Sequence, residues 1–399
     1  MTWSFCIGSN IRYDSGELSG SDINADLALM QQSGMTVARV FVGNSGQSDQ
    51  AIASDVDSFL TTAEQYGISV IVCLADYYAG LWHPQSMDGD YNNPNKNCQG
   101  CLGDGFWAGD YKNAYKSYVN TVVSANAHHP NVFAWELGNE MKATSGTTAT
   151  TGAIRPDLFL AFSQDMASFI KGIDPSHRVS PGIISVQNIS YGPYWTPDQY
   201  YSQVTDIDVV TVHDYNQDHS GAPDIQWAKA NGKVAMIEEG LACRQMTPNP
   251  TLYNSELSYW QSQGIDYFLQ WRFLATSDTD PCSINPSTPN YTQLLSILSE
   301  GSCAGATTGG GTGGTGGGGT GGVQGQCIAD PDCIAAHGNG YYCQNPNTAQ
   351  SSCQPCPTTT AAGWVLRAQT APNDTAGYIG AGITVLGAIG LAALAARGK

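Results

Sequence analysis

The sequence predicts an α/β fold, a (β/α)8 or TIM barrel over residues 1–303, from three observations. Eight short apolar runs recur along this stretch with amphipathic segments between them, the element order of a parallel barrel sheathed in helices. Glycines stand where five of those segments should end, as helix C-caps require. No Gly-x-Gly-x-x-Gly follows the first run, so the rival doubly wound sheet loses the support of a nucleotide-binding turn.

In chain order, strands are expected at 3–9, 35–42, 68–75, 132–138, 178–185, 207–213, 233–239 and 265–273. Each has strand length and is bounded by turn residues. Helices are expected at 21–33, 50–66, 111–127, 156–171, 226–231, 251–263 and 291–299, with Gly34, Gly67, Gly172, Gly232 and Gly264 as stops. From 304 to 322 the composition collapses to Gly and Thr, a flexible linker with nothing to bury. Residues 323–357 carry five cysteines, between Cys327 and Cys356, and read as a small disulfide-rich module. Five is odd, which leaves Cys303 or another upstream cysteine as an outside partner. Tyr341 and Tyr342 suit carbohydrate stacking, and a plain spacer is the alternative. A Pro/Thr-rich spacer at 358–374 leads to 375–399, whose first 22 residues are uncharged and long enough to span a bilayer. A transmembrane helix and a removable lipid-anchor signal are both open readings.

Charge narrows the function classes. With 34 acidic against 16 basic residues and a net charge of −18, the chain lacks the Lys/Arg clusters that nucleic-acid binding needs. Its 9 Trp, 20 Tyr and 10 Phe suit stacking on sugar rings. Twelve cysteines and sequons at Asn188, Asn290 and Asn373 point to an oxidising, extracellular setting. Zinc is the rival for the Cys98/Cys101 and Cys353/Cys356 pairs, but neither has a second pair nearby. Residues 1–6 enter a core strand without the basic and apolar regions of a signal peptide. Either a leader is missing from this sequence or export uses another route.

The polar residues at the expected strand ends form one chemically coherent set. They are Arg39, Asn139 with Glu140, His213 with Tyr215, Glu238 with Glu239, and Trp271. At the C-terminal ends of barrel strands such residues line the site. Two carboxylates across a barrel mouth are what glycosidic cleavage needs, one protonating the leaving oxygen and one attacking the anomeric carbon. Arg39 and Tyr215 would keep the attacking group ionised, His213 would bond the acid/base or the sugar, and Trp271 would give a stacking floor. Tyr77, Tyr78, Trp82, Trp107 and Trp195, in loops after the third to fifth strands, are candidate outer sugar subsites. No metal or organic cofactor is called for, and the protein is read as a monomer.

Residues 3 to about 300 resemble glycoside hydrolase family 5, of the retaining (β/α)8 clan, and most closely the endo-β-1,4-mannanases. The carrying motif is Trp135-Glu136-Leu137-Gly138-Asn139-Glu140; on that match Glu140 is the acid/base and Asn139 binds the neighbouring 2-hydroxyl. Cys6-Ile7-Gly8-Ser9-Asn10 is similar to the family's first strand, Val37-Ala38-Arg39-Val40-Phe41 to its second-strand arginine, and His213-Asp214-Tyr215 to its His-x-Tyr. Phe106-Trp107 and Tyr115-Lys116-Ser117-Tyr118-Val119 are similar to the mannanase segment before the fourth strand. Two features depart. The family's nucleophile is usually followed by an aromatic and a glycine, whereas Glu238-Glu239-Gly240 lacks the aromatic and leaves both glutamates open, Glu239 favoured. Cys73-Leu74-Ala75-Asp76-Tyr77-Tyr78 has neither the His of many cellulases nor the Asn-Asn-Trp of typical mannanases. The resemblance implies a retaining endo-glycosidase on β-linked mannan or a related polysaccharide, and the 375–399 segment implies that it is tethered outside the cell; a β-1,4- or β-1,3-glucanase and a non-catalytic surface carbohydrate-binding protein are the alternatives.

Overall fold

The computed structural model describes residues 2–12, 20–43, 46–77, 83–91, 102–145, 153–189, 195–215, 217–241, 249–275, 283–301, 303, 341–344 and 352–355. Its centre is an eight-stranded parallel sheet: β1 (Cys6–Arg12), β2 (Val37–Phe41), β3 (Ser69–Cys73), β4 (Val132–Glu136), β5 (Arg178–Ser180), β6 (Val209–Asp214), β7 (Val234–Gly240) and β8 (Tyr267–Gln270). Neighbours follow chain order from β1 to β5, and β1 also pairs with β8, which continues through β7 to β6. Between β5 and β6 single bonds close the ring: Asp208 N to Val179 O at 2.9 Å and His213 N to Ile184 O at 3.0 Å. The arrangement is that of a (β/α)8 barrel.

Helices α1 (Gly20–Gln32), α2 (Asp49–Gln65), α3 (Ala114–Asn126), α4 (Pro156–Ile173), α5 (Ala222–Ala230), α6 (Pro250–Gln263) and α7 (Tyr291–Leu298) accompany the strands. In α2, Ile52, Ala53, Val56, Phe59, Leu60 and Ala63 recur every three or four residues and form its buried stripe. Its first turn is closed by Ser48, whose side chain accepts from the Ala51 N–H. Gly34, Gly67, Gly232 and Gly264 all take a left-handed conformation with φ between 66° and 76°. Gly172 does not: α4 runs through it to Ile173 and stops at Asp174, whose extended backbone breaks the helical path. Short helical turns, Val186–Ile189 and Pro197–Tyr201, occupy the β5–β6 connection.

The barrel interior is layered. Its floor is apolar, with Cys6, Val37, Ile71, Ala134, Val209 and Met236 packed together. Two or more residues further along the same strands stand Asn10, Arg39, Cys73, Glu136, His213 and Glu238, all buried. Side chains two apart share a face, so these polar groups form the layer above the floor, toward the C-terminal ends of the strands. The floor is also where the barrel's last described residue returns. Trp3 bridges Gly301, and Cys303 is disulfide-bonded to Cys6. Cys303 is therefore a barrel cysteine and not the outside partner expected for the module.

The chain divides into two units, Met1–Gly313, which holds the barrel, and Gly314–Lys399. In the second unit the described residues form an antiparallel ribbon, Tyr341–Gln344 against Ser352–Pro355, with Cys343 opposite Cys353. The linker, the rest of the module, the spacer and the 375–399 segment lie outside the described residues. Among the described residues no helix is long and apolar enough to cross a membrane.

Candidate active site

Arg39 organises the polar layer. Fully buried on β2, it donates from Nε and Nη2 to both oxygens of Glu136 at 2.8 and 2.6 Å. Nη2 also donates to Asn139 Oδ1 at 2.9 Å, and Nη1 to Asn10 Oδ1 at 3.0 Å and to Glu239. Glu238 Oε1 is 3.7 Å from Nε. Burial works against the guanidinium charge, but Glu136, Glu238 and Glu239 outweigh it and hold its pKa well above the usual value. Burial pushes Glu136 up to about 7 against the pull of Arg39, with the Glu238 charge adding to it. Glu238 moves the other way, because Arg39 and His213 overcome its burial. The two buried carboxyls thus shift in opposite directions, Glu136 up and Glu238 down.

A β-bulge sets the two consecutive glutamates. Val212 pairs with Ile237 but His213 pairs with Glu239, and Phe268 pairs with Ile237 while Gln270 pairs with Gly240. Glu238 is the extra residue against β6, Glu238 and Glu239 together fall opposite the single Leu269 of β8, and the bulge lets adjacent side chains reach the same polar cluster. Glu238 goes inward to Arg39 and to His213 Nε2, 3.3 Å away. Glu239 takes the position level with His213 and accepts from the Tyr215 hydroxyl as well as from Arg39. Burial and the Glu140 charge raise the Glu239 pKa while His213 and Arg39 restrain it.

On the opposite wall, β4 leads into a tightly held turn. Leu137 N and Glu140 N donate to Ser180 O and Gly182 O on one side, and Asn139 N donates to Ala75 O on the other. A side chain at Gly182 would meet Gly138 O at 2.4 Å and Glu136 Oε1 at 2.6 Å, so only glycine lets the backbones approach this closely. Glu140 itself has φ 51°, a left-handed conformation costly for a non-glycine residue and found where surroundings impose it. Its Oε1 lies 2.9 Å from His213 Nδ1, which is 3.5 Å from Glu239 Oε2. Oxygens of Glu140 and Glu239 and a His213 nitrogen lie within 4.8 Å of one another. Burial opposes charge on His213, but Glu239 and the bonds to Glu140 and Glu238 overcome it and push its pKa up to about 10. Trp271, half-buried after β8, sits edge-on to Phe41 and to Tyr215, both with centroids 6.1 Å away.

Arg39, Asn139, Glu140, His213, Tyr215, Glu238, Glu239 and Trp271 are thus brought together at the C-terminal end of the barrel. Trp107 is not among them. It is 2% exposed and packs against Phe106, Phe159 and Phe162 in the aromatic core beside α4, which corrects the expectation of a sugar subsite there. Tyr77 is buried too, under Lys142, and Trp195 packs against the core. Tyr78 and Trp82 lie outside the described residues. Three members were not singled out from the sequence: Glu136, Asn10, which also donates to Glu238 O at 2.9 Å, and Asp76, which accepts from Asn139 Nδ2 at 2.9 Å. The available signal for Glu136 was a lone charge inside an apolar run, a group that burial forces to find a partner.

Residues 8–272 match the family model described as Cellulase (glycosyl hydrolase family 5). The chain belongs to glycosyl hydrolase family 5. Within that family of O-glycosyl hydrolases its curated relatives include a probable mannan endo-1,4-β-mannosidase F of Aspergillus oryzae, 25% identical over 58% of this chain and 56% of the relative. Mannan endo-1,4-β-mannosidase A of Emericella nidulans is 24% identical over 71% of this chain and 78% of its own length. The chain thus spans about half the length of the A. oryzae relative. Among solved structures, the endo-1,4-β-D-mannanase of Thermotoga petrophila RKU-1 superposes with TM-score 0.55 at 18% identity, covering 75% of this chain and 99% of that one. The endo-1,4-β-mannanase of Rhizomucor miehei gives TM-score 0.55 at 17% identity, covering 75% and 94%. At such identities the superpositions speak for the fold, and they agree with the barrel described above.

Proposed function

We propose that this family 5 member is a retaining endo-glycosidase that hydrolyses β-1,4-mannan or a related β-linked polysaccharide by double displacement. The observation that carries the proposal is the facing of Glu140 and Glu239, an oxygen of each within 4.8 Å. Retaining enzymes hold their two carboxyl groups about 5–5.5 Å apart, whereas inverting enzymes leave room for a water between them. Glu239 is the nucleophile: Arg39 and Tyr215 donate to its two oxygens, which favours the anion and aims it. Glu238 has the same charge but is locked below, between Arg39, His213 and Glu136.

Glu140 is the acid/base. Its carboxyl gives a proton to the glycosidic oxygen as Glu239 attacks the anomeric carbon, the bond to the leaving sugar breaks, and a glycosyl ester forms on Glu239. The Glu140 carboxylate then takes a proton from water, which attacks the same carbon and frees Glu239. Asn139, held by Arg39 and Asp76, binds the 2-hydroxyl of the reacting sugar, and Trp271 supplies its floor.

Mannan is supported by the relatives, which are named as mannan endo-1,4-β-mannosidases. A β-1,4-glucan is the second reading, favoured by the matching model's description as Cellulase. Reducing-sugar release by the full chain from mannan, glucomannan, carboxymethylcellulose and laminarin, side by side, tests both. Short oligosaccharides from mannan are expected; release from a glucan alone would replace the substrate, and no release at all would overturn the enzyme. The protein works outside the cell, as the Cys6–Cys303 bridge supports, tethered by the uncharged run in 375–399. Activity should follow the membrane fraction and move to the soluble one when 375–399 is deleted.

A further inference from the structure

Beside the carboxylate cluster, on the outer side of β6, lies a second group of ionisable residues that the reaction does not use. We propose that Asp214, His219 and Glu256 bind a zinc ion. Their ligand atoms all lie within 4.8 Å of one another: His219 Nε2 is 3.0 Å from Glu256 Oε2 and 4.0 Å from Asp214 Oδ2. Tetrahedral zinc, with bonds of about 2.0 Å to nitrogen and oxygen, holds neighbouring ligand atoms roughly 3.3 Å apart, between those two distances.

The independent sign of a missing ligand is Asp214 itself. It is 5% exposed, and Oδ2 has no hydrogen-bond partner among the described residues. A buried carboxylate oxygen without a donor costs free energy that an ion would restore. The histidine is aimed by its surroundings: its ring stacks on Tyr259 at 3.5 Å and 13°, with Trp260 edge-on at 5.5 Å. Two carboxylates and one imidazole suit a borderline divalent ion, with water in the fourth position. The site joins the end of β6 to α6, and Asp214 is paired with Gly240 of β7. Its role is to fasten that corner of the barrel mouth, one residue from His213.

The test uses the full chain, stripped of metal by chelation, then titrated with zinc chloride by calorimetry and followed by thermal unfolding. Asp57, His128 and His129 form another group that could take zinc, so His128→Ala is the control. The wild type and His128→Ala should bind an equivalent of zinc that His219→Ala and Glu256→Gln lack. Their melting temperature should rise by about 5 °C at zinc near 100 times its Kd, a rise lost in the two site variants. Equal binding and equal rises in all four proteins would overturn the site. If His219→Ala fails to fold, the near-isosteric Glu256→Gln carries the comparison. Polysaccharide hydrolysis is not a readout, so this result stands apart from the proposed function.

Discussion

Arg39 on β2 grips Glu136 on β4 across the barrel interior through two parallel hydrogen bonds, 2.8 Å from Nε and 2.6 Å from Nη2. Only a planar guanidinium can make that contact while its remaining donor reaches Asn10 and Glu239. Arg39→Lys keeps the charge but loses the fork and leaves a buried carboxylate short of partners. Breaking such a pair costs about 3–5 kcal/mol. Guanidinium unfolding should show a loss of that order; a change under about 1 kcal/mol would mean the fork is dispensable.

Glu140→Gln removes the proton donor without changing shape. Turnover of polysaccharide is expected to fall by about 10²–10⁴-fold, the usual worth of a positioned general acid. Oligosaccharide affinity should stay near that of the wild type. The partner glutamate can be identified directly: a 2-deoxy-2-fluoro glycoside with a good leaving group should accumulate an ester on the peptide containing Glu239. Fragmentation that places the label on Glu238 would reverse the assignment.

Asp224 offers a pH test away from the site. It is 1% exposed, and burial pushes its pKa up to about 7 despite the hydrogen bond from Val186 N. The folded state therefore keeps a proton that the unfolded chain releases near pH 4. This contribution is fully present below about pH 4 and is lost as pH rises through about 7. Asp224→Asn should flatten the decline between those values, seen as a difference between the two stability curves. Parallel curves would show that Asp224 does not titrate in this window.

Trp107 separates packing from substrate binding. Trp107→Ala should cost about 3–5 kcal/mol by leaving a cavity among Phe106, Phe159 and Phe162. Trp107→Phe should cost much less, because the indole Nε1 has no partner among the described residues to lose. Neither should alter KM for polysaccharide at a temperature where the variant is folded. A raised KM in Trp107→Phe would return the residue to the substrate path.

What could be read ahead of the structure follows from what is local. The β2 strand and the α2 helix announce themselves through short-range periodicity, and Gly264 through the left-handed turn it permits. Gly172 shows the limit, because a glycine in the next-to-last position of a helix looks the same in sequence as one just beyond its end. The Glu238–Glu239 ambiguity had a definite cause. A bulge shifts register by one residue, and nothing in the residues 233–240 records it. Trp107 looked like an outer aromatic because sequence position after a strand says nothing about which way a ring turns. Glu136 was hidden for a related reason: only the structure shows the Trp135 indole facing outward, its Nε1 bonded to Asp174 at 2.8 Å, which turns the next residue inward.

The bond from Cys6 to Cys303 joins positions 297 residues apart and turns the barrel into a covalent loop. A protease that cuts one connecting segment within that loop opens a ring and does not divide a chain. Both pieces would travel as a single species on a non-reducing gel and part only when thiol is added. The nicked barrel would keep its two halves at high effective concentration, so a single cut near the mouth could change access to the carboxylates without releasing either Glu140 or Glu239 from its partner strand.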